Sequence, residues 1–187
     1  MAIKPRHSDT FSTYFITFTC AEWLPLFKIT NSYDLVYKWF AVVKQKYNAD
    51  VVAYVIMPNH LHVILHFQHL EFNLNTIISN GKRFMAYEII NRLDNAGNIS
   101  LLEQLKLLLT DREMKKGQLH KVFKDSFDAK AIITRHFLLQ KINYIHHNPV
   151  SGKWMLAKDF VEYEHSSASF YEIKLARHWK PVHYIDL

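Results

Sequence analysis

The sequence predicts an α+β fold in which a four-stranded antiparallel sheet carries helices on one face. Two observations predict this class. Four short runs of β-branched and aromatic residues alternate with longer amphipathic stretches, in the order β-α-β-β-α-β-α. Glycine and proline are scarce, with 4 Gly and 5 Pro in 187 residues, whereas an all-β fold needs more of both for its tight turns.

The first half of the chain predicts a strand, a helix and a pair of strands. Residues 12–20 (STYFITFTC) have the alternation of a strand, and residues 32–47 place their apolar side chains in one helical stripe. Residues 51–56 (VVAYVI) and 60–67 (HLHVILHF) predict two further strands. The Met-Pro-Asn break at 57–59 indicates a short turn, so we expect these two strands to be antiparallel neighbours.

A long helix and a helical insert follow. Residues 74–93 carry an apolar stripe at helical spacing, with an interruption or kink expected at Gly81. A second helix is predicted to begin at Ser100, because Glu103 three residues later completes a capping-box pattern. Together with the turn before it, this insert covers about residues 94–117.

The last third of the chain predicts a strand, one helix and an irregular end. Residues 121–132 look rich in strand, and a helix begins at 134 and ends before a proline. The C-terminal extension, from about 150 to 187, contains only short pieces. Four strands with two crossing helices form the ferredoxin-like split βαβ arrangement, and we expect one such domain over residues 1–187. The sheet face without helices is then free to carry a site.

The charge of the chain favours a polyanionic partner. Lys and Arg total 23 against 17 Asp and Glu, which gives a net charge of +6. Aromatic residues make up 14% of the chain, which leaves a surplus for stacking beyond the core. The alternative is a basic surface that binds no nucleic acid, because net charge describes association and not fold.

Cysteine usage and the absence of apolar segments predict a cytoplasmic protein. Cys20 is the only cysteine, which excludes an internal disulfide and a thiolate zinc site and fits a reducing compartment. Residues 1–10 are polar and lack the apolar core of a signal peptide. No run of about 18 apolar residues occurs, so we expect no membrane span.

Two histidines on the third predicted strand are candidate metal ligands. Side chains alternate between the faces of a strand, so Leu61 and Val63 point towards the core while His60 and His62 point to the opposite face. Their Cα atoms lie about 7 Å apart, which allows both imidazoles to hold one ion. The alternative is a pair of surface histidines in a chain with 12 of them.

A site of this kind needs a third ligand and open positions for substrate. Cysteine cannot supply it here, so oxygen or a further imidazole must. A remainder rich in oxygen ligands favours Mg²⁺ or Mn²⁺ over a closed structural zinc site.

The last predicted helix presents a polar face with a tyrosine at its centre. Gln140, Tyr144 and Asn148 fall at i, i+4 and i+8, and the apolar residues of the helix fall on another face. Asn148 can offer an amide oxygen to a metal, and His147 is a rival for the same role. Lys141 lies one turn before Tyr144, where it can stabilise a phenolate or a phosphate. The alternative is that Tyr144 is a half-buried packing residue.

Two motifs carry a resemblance to a known family. Residues 57–64 (MPNHLHVI) resemble the HUH motif of single-tyrosine transposases, in which two histidines flank a hydrophobic residue. Residues 140–154 (QKINYIHHNPVSGKW) are similar to the tyrosine helix of the REP-associated branch of that family. Residues 122–130 and 163–171 also match elements of that branch. The likeness covers most of 12–171, and the helical insert departs from the shortest members.

The resemblance implies a DNA transposase that acts as a site-specific single-strand endonuclease. It implies a divalent metal, Mg²⁺ or Mn²⁺, held by His60, His62 and Asn148. Tyr144 would be the nucleophile that forms a 5′-phosphotyrosine link on single-stranded or hairpin DNA and leaves a free 3′-OH. A second 3′-OH can then rejoin the strand, because the transfer conserves the phosphodiester energy.

Basic residues are candidates for contacts with the DNA backbone. A solvated charged face is the alternative for each of them. The resemblance leaves open whether the protein is a monomer or a homodimer, and whether the tyrosine acts in its own chain or in a partner's; it also implies a nucleoid-associated location. The candidate DNA contacts are Lys82, Arg83, Lys121, Lys124, Lys130 and Lys141, with Arg112, Lys115 and Lys116 in the insert.

Three other functions compete with this interpretation. The first is a catalytically silent protein that binds hairpin DNA and derives from a transposase. The second is a metal-dependent hydrolase in which water attacks and Tyr144 only packs. The third is a zinc-stabilised structural module, which is weak because a closed ligand set is missing.

Overall fold

Four antiparallel strands form one sheet in the computed structural model, which describes residues 11–152 and 154–187. The strands are β1 (Thr13–Thr19), β2 (Ala49–Met57), β3 (His60–Phe67) and β4 (Asp128–Ala131). Their order across the sheet is β2-β3-β1-β4, with β1 and β3 at the centre. This is the ferredoxin-like split βαβ arrangement, so the predicted fold class is confirmed.

Helices and short turns of helix connect and cover the strands. No helix in the described part of the chain is both long and apolar enough to cross a membrane. Residues 1–10, in which no apolar signal core is expected, lie outside the described residues. The helices are α1 (Leu26–Ile29), α2 (Tyr33–Tyr47), α3 (Leu74–Asn95), α4 (Ile99–Leu107), α5 (Asp111–Lys115), α6 (Arg135–His147) and α7 (Ala168–Ile173), with 3-10 turns at Ala21–Trp23, Asn148–Val150 and Tyr184–Asp186.

Helices α2 and α3 cover one face of the sheet and build the larger core. The apolar stripe of α2 and the buried residues of α3 pack on the side chains of β3 that include Leu61 and Val63. Gly81 does not break α3. A Cβ at this position would collide with the indole of Trp39, so glycine permits the close approach of α3 to α2.

Helix α6 lies on the opposite face, as a site that joins Tyr144 to the histidine pair requires, so helices cover both faces of the sheet and not one only. Leu138, Ile142 and Ile145 of α6 pack with Phe15 and Ile64 of the central strands in a second, smaller core. The physical reason is that this face is also largely apolar and gains stability when it is removed from water. The site face is therefore half covered, and the polar remainder forms a pocket beside α6.

The insert also differs from the prediction. The single helix expected from Ser100 is two helices, α4 and α5, and the first begins one residue earlier. Its N-cap is Asn98, whose side chain accepts a hydrogen bond from the backbone N–H of Leu101. The capping box occurs instead at Thr110 and Glu113, which begin α5 and so separate the two helices.

The stretch at 121–132 contains less strand than the sequence suggests. Only Asp128–Ala131 pairs with β1 as a strand, and Phe123 makes an isolated bridge to Cys20. Val122 and Phe123 are buried in the larger core, so the apolar character of this stretch reflects packing of a loop rather than a continuous ladder.

Candidate active site between β3 and α6

The two histidines of β3 lie side by side on the face that α6 covers. The ring centroids of His60 and His62 are 4.7 Å apart, and each residue is 5% exposed. The strand that carries them is central in the sheet and is paired on both sides, so their backbone positions are held by two ladders. The orientation predicted from strand alternation is confirmed in the structure.

A hydrogen bond to Nδ1 orients each imidazole. His60 Nδ1–H donates to Asn59 Oδ1 at 2.6 Å, and Asn59 Nδ2 donates to the carbonyl of Trp23 at 2.9 Å, which fixes the amide orientation. His62 Nδ1 lies 2.7 Å from the hydroxyl of Thr17. These contacts occupy Nδ1 of both rings and leave Nε2 of each as the nitrogen that can bind a metal.

Burial keeps both imidazoles neutral. It lowers the pKa of His60 to about 4, an effect that the neighbouring Asn148 side chain partly opposes. It lowers the pKa of His62 to about 3, with further contributions from His60 and from the ammonium of Lys141. Because a metal binds the neutral ring, both residues are in the binding form at neutral pH.

Helix α6 brings Tyr144 to this pair. The Tyr144 hydroxyl lies 3.5 Å from His62 Nε2, and the two ring centroids are 5.2 Å apart. Tyr144 is 46% exposed, so it is not a packing residue of the core. Its helix belongs to the same chain as the histidines.

One contact begins α6, and another holds it against the sheet. Thr134 caps its start, since the side chain accepts a hydrogen bond from the backbone N–H of Phe137. Near the other end, the buried His146 lies 3.0 Å from the hydroxyl of Ser167. Ser167 in turn accepts a bond from the N–H of Tyr54 and donates one to its carbonyl, which ties α6 to β2.

Asn148, and not His147, faces the histidine pair. Asn148 lines a pocket of about 390 Å³ together with His60, His62 and Tyr144. Its Oδ1 is buried and makes no hydrogen bond of normal geometry with any described residue. His147 instead donates from Nδ1–H to the carbonyl of Asn143 at 3.0 Å and stacks on Phe160, so its ring is engaged elsewhere.

This donor set fits a divalent metal. A buried amide oxygen without a partner is costly unless something binds it, and here it lies beside two neutral imidazoles whose Nε2 atoms are the remaining ring donors. Two nitrogens and one oxygen leave positions open for substrate oxygens. No group of three His, Cys, Asp or Glu side chains among the described residues is placed to hold a metal ion, so a metal at this pocket would need the amide of Asn148 as well.

Three of the predicted DNA contacts surround this pocket. Lys141 lies over the rings of Phe15 and Tyr144, at 4.9 and 5.4 Å from their centroids. Lys130 is exposed on β4 directly opposite Phe15, and its charge contributes to a lowered pKa of Lys141, after the larger effect of burial. Lys124 lies over the ring of Trp23, which lines the same pocket.

The other predicted contacts are placed differently. Lys82 donates to the carbonyls of Lys124 and Asp125, and thereby supports the loop before β4. Lys121 forms ion pairs with Glu113 at 2.8 Å and Asp125 at 3.5 Å. Arg83 is exposed on α3, which covers the opposite face of the sheet. The structure thus gives Lys82 and Lys121 internal partners and leaves Arg83 apart from the pocket.

Sequence reasoning missed four residues that shape the site. Thr17 and Asn59 orient the two histidines, and Trp23 and Trp154 line the pocket close to His60. The place of Asn59 directly before the histidines was a usable signal. The other three come from distant parts of the chain, and no local pattern connects them to His60.

The comparisons with known proteins support the fold. No family model and no curated protein matches this sequence. The structure is similar to that of a REP-associated tyrosine transposase bound to a REP hairpin, with a TM-score of 0.65, 17% identity and coverage of 97% of this chain and 93% of that one. A protein of Deinococcus radiodurans that has been assigned as a transposase reaches a TM-score of only 0.44 at 13% identity, over 76% of this chain and 95% of that one, which is too low to carry an argument. The chain thus has the fold of a REP-associated tyrosine transposase, and the resemblance carried by residues 57–64 and 140–154 is confirmed at the level of the fold.

Proposed function

We propose that this protein is a single-tyrosine DNA transposase that nicks and rejoins single-stranded or hairpin DNA through Tyr144. The observation that carries the proposal is the 3.5 Å approach of the Tyr144 hydroxyl to His62 Nε2, in one pocket with His60 and the unsatisfied Asn148 oxygen. A nucleophile, two imidazoles and an amide oxygen meet there from two separate elements, in the order that the family resemblance requires.

The ligands of the proposed Mg²⁺ or Mn²⁺ ion are His60 Nε2, His62 Nε2 and Asn148 Oδ1. When bound, the ion would polarise the scissile phosphate and stabilise the charge that develops during attack. Asn59 and Thr17 hold the two rings by their Nδ1 atoms, so the site is oriented before any ion arrives.

Tyr144 carries the covalent step. Its oxygen attacks phosphorus and forms an Oη–P bond, the bond from phosphorus to the 3′-oxygen breaks, and the departing 3′-oxygen takes up a proton. The phenol proton leaves to water, to which this half-exposed side chain has access. The Lys141 ammonium lies over the Tyr144 ring, where it would meet the phosphate that Tyr144 attacks. Attack by a second 3′-OH reverses these bonds and releases Tyr144.

The lysines around the pocket and the ligand of the similar solved structure both suggest a nucleic-acid substrate. Lys124, Lys130 and Lys141 lie around the pocket, where phosphates of a strand entering the site would meet them. The solved neighbour is bound to a REP hairpin, and we extend a hairpin or single-stranded ligand to this chain as part of the proposal. A monomer is sufficient for the chemistry, because Tyr144 and its neighbours belong to one chain.

Adduct formation tests this proposal. Hairpins with randomised loops and flanks are first selected for binding, then labelled and incubated with protein and Mg²⁺ or Mn²⁺, and the products are separated on denaturing gels. Wild type should give a metal-dependent covalent adduct, and Tyr144→Phe should bind the same hairpins without one. Tyr87→Phe, which alters an exposed tyrosine of α3, should behave as wild type.

The outcomes separate the competing functions. Binding without an adduct or a nick would indicate a catalytically silent hairpin-binding protein. Metal-dependent nicking without an adduct would indicate a hydrolase in which water attacks. An adduct that persists in Tyr144→Phe would contradict the proposed nucleophile.

A further inference from the structure

Two tryptophans, Trp23 and Trp154, lie close to His60 in the pocket. The ring centroids of Trp23 and Trp154 lie 5.9 and 6.0 Å from that of His60, at interplanar angles of 79° and 51°. Both indoles line the pocket that holds His62, Tyr144 and Asn148. They reach it from opposite ends of the chain, one from the turn after β1 and the other from the segment after α6.

Core packing does not account for Trp23. Its residue is 55% exposed, although an indole is among the side chains that gain most from burial. Its backbone is left-handed, with φ 58°, and so is that of Glu22, with φ 47°; this conformation is unfavourable for bulky side chains. Asn59 holds the carbonyl of Trp23 while its Oδ1 orients His60, so the same side chain couples the exposed indole to the candidate metal ligand.

A lysine side chain lies beside the Trp23 indole. Lys124 Nζ lies 4.6 Å from the centroid of the Trp23 ring. An aromatic face beside an ammonium group offers a surface for a base and a partner for its phosphate. Bases within a duplex are already stacked on one another, so unpaired nucleotides occupy such a surface more readily than paired ones.

We infer that Trp23 and Trp154 form a stacking site for unpaired nucleotides next to the phosphate on which Tyr144 acts. The inference rests on the proposed function for the position of that phosphate. Binding at the two indoles needs no chemistry at Tyr144. Stacking tolerates any base, so the site selects unpaired over paired DNA more than one sequence over another.

Binding without chemistry tests the inference. Fluorescence anisotropy of a labelled eight-nucleotide oligothymidylate is measured in EDTA, with a labelled blunt duplex of eight base pairs as the comparison ligand. Trp23→Ala and Trp154→Ala should each weaken binding of the single strand by about 10-fold or more, and that of the duplex far less. Trp23→Phe, which keeps an aromatic face, should recover most of the affinity. Tyr87→Ala, which removes an exposed aromatic ring from α3, is the matched control and should change neither ligand's affinity.

The wild-type indoles provide a second measurement. Of the 4 tryptophans, Trp39 is only 3% exposed and Trp179 packs against the larger core, so quenching by the oligothymidylate should come mainly from Trp23 and Trp154 and should fall in each alanine variant. The inference is wrong if both variants bind the single strand as wild type does, or if single-strand and duplex binding weaken equally. If the two alanine variants bind the single strand more weakly but wild type forms no covalent adduct, the stacking site is supported and the transposase proposal is contradicted. If wild type forms the adduct but both variants bind as wild type does, the transposase proposal is supported and the stacking site is contradicted.

Discussion

The hydroxyl of Tyr144 lies 3.5 Å from Nε2 of His62, although 82 positions separate the two residues in the chain. Helix α6 makes this approach possible because its apolar side packs on the sheet face that carries the histidines. The contact places the proposed nucleophile and a proposed metal ligand within one chain.

Thr17→Val removes the hydroxyl that meets His62 Nδ1 at 2.7 Å while keeping the shape of the side chain. We expect Mn²⁺ affinity, measured by calorimetry, to fall by about 10- to 100-fold, because a partner of this kind orients the ligand ring. Thr13→Val is the matched control, since Thr13 meets His66 Nδ1 at 2.8 Å on the same strand but outside the pocket. Equal losses in both variants would argue against a specific role for Thr17.

Asn148→Ala removes the buried amide oxygen beside His60, which makes no hydrogen bond of normal geometry with any described residue. If this oxygen is a ligand, Mn²⁺ affinity should fall by at least about 10-fold, and adduct formation should fall with it. His147→Ala should leave Mn²⁺ affinity unchanged, because its ring is engaged by Asn143 and Phe160. If Mn²⁺ affinity fell only in His147→Ala, His147 and not Asn148 would be the third metal ligand.

Leu105→Ala tests whether the helical insert belongs to the main core. Leu105 is fully buried, so we expect the free energy of unfolding in urea to fall by about 2–5 kcal/mol. Leu107→Ala, on the same helix but 85% exposed, should change it by less than about 0.5 kcal/mol. A small effect of Leu105→Ala would mean that the insert unfolds independently of the sheet.

His165 sits in a cluster that links the C-terminal segment to α2. Its ring stacks on Tyr33 with centroids 3.7 Å apart, and its Nδ1 lies 3.1 Å from the Tyr37 hydroxyl. Burial lowers the pKa of His165 to about 4; Glu164 opposes this shift and His178 adds to it. Tyr163 meets the same ring edge-on, so aromatic groups and one carboxylate surround it.

This cluster should make stability depend on pH. The unfolded state binds a proton at His165 near pH 6.5, whereas the folded state resists it down to about pH 4. The free energy of unfolding should therefore fall by about 1–2 kcal/mol as the pH falls from 6.5 towards 4, after allowance for partial solvent screening of His165. The free energy of unfolding in urea, measured across this range, should depend less on pH in His165→Gln than in wild type. His136→Gln, which changes an exposed side chain, should keep the pH dependence of wild type.

Local sequence patterns predict the helices, the strands and the side chains on each of their faces. Contacts between distant parts of the chain decide which of these side chains meet in the pocket. The period of two in β3 is a property of the strand itself, so the orientation of His60 and His62 was predictable. The choice between His147 and Asn148 was not. Neighbouring helical residues point about 100° apart, and only the docking of α6 decides which of them faces the pocket. The charge of Lys82 predicts a DNA contact, but the loop before β4 provides carbonyls that bind its ammonium group.

The sequence by itself determined the order of strands and helices, the histidine pair on one face of β3 and the tyrosine on the polar face of α6. These depend on periodicity and on residue type, which act over a few positions. Only the tertiary structure decided how α6 packs on the second face of the sheet, that Asn148 lies beside His60 and that Trp23 and Trp154 come close to it. The reason is that burial of apolar surface sets how distant elements dock, and that docking brings together residues whose spacing in the chain carries no signal.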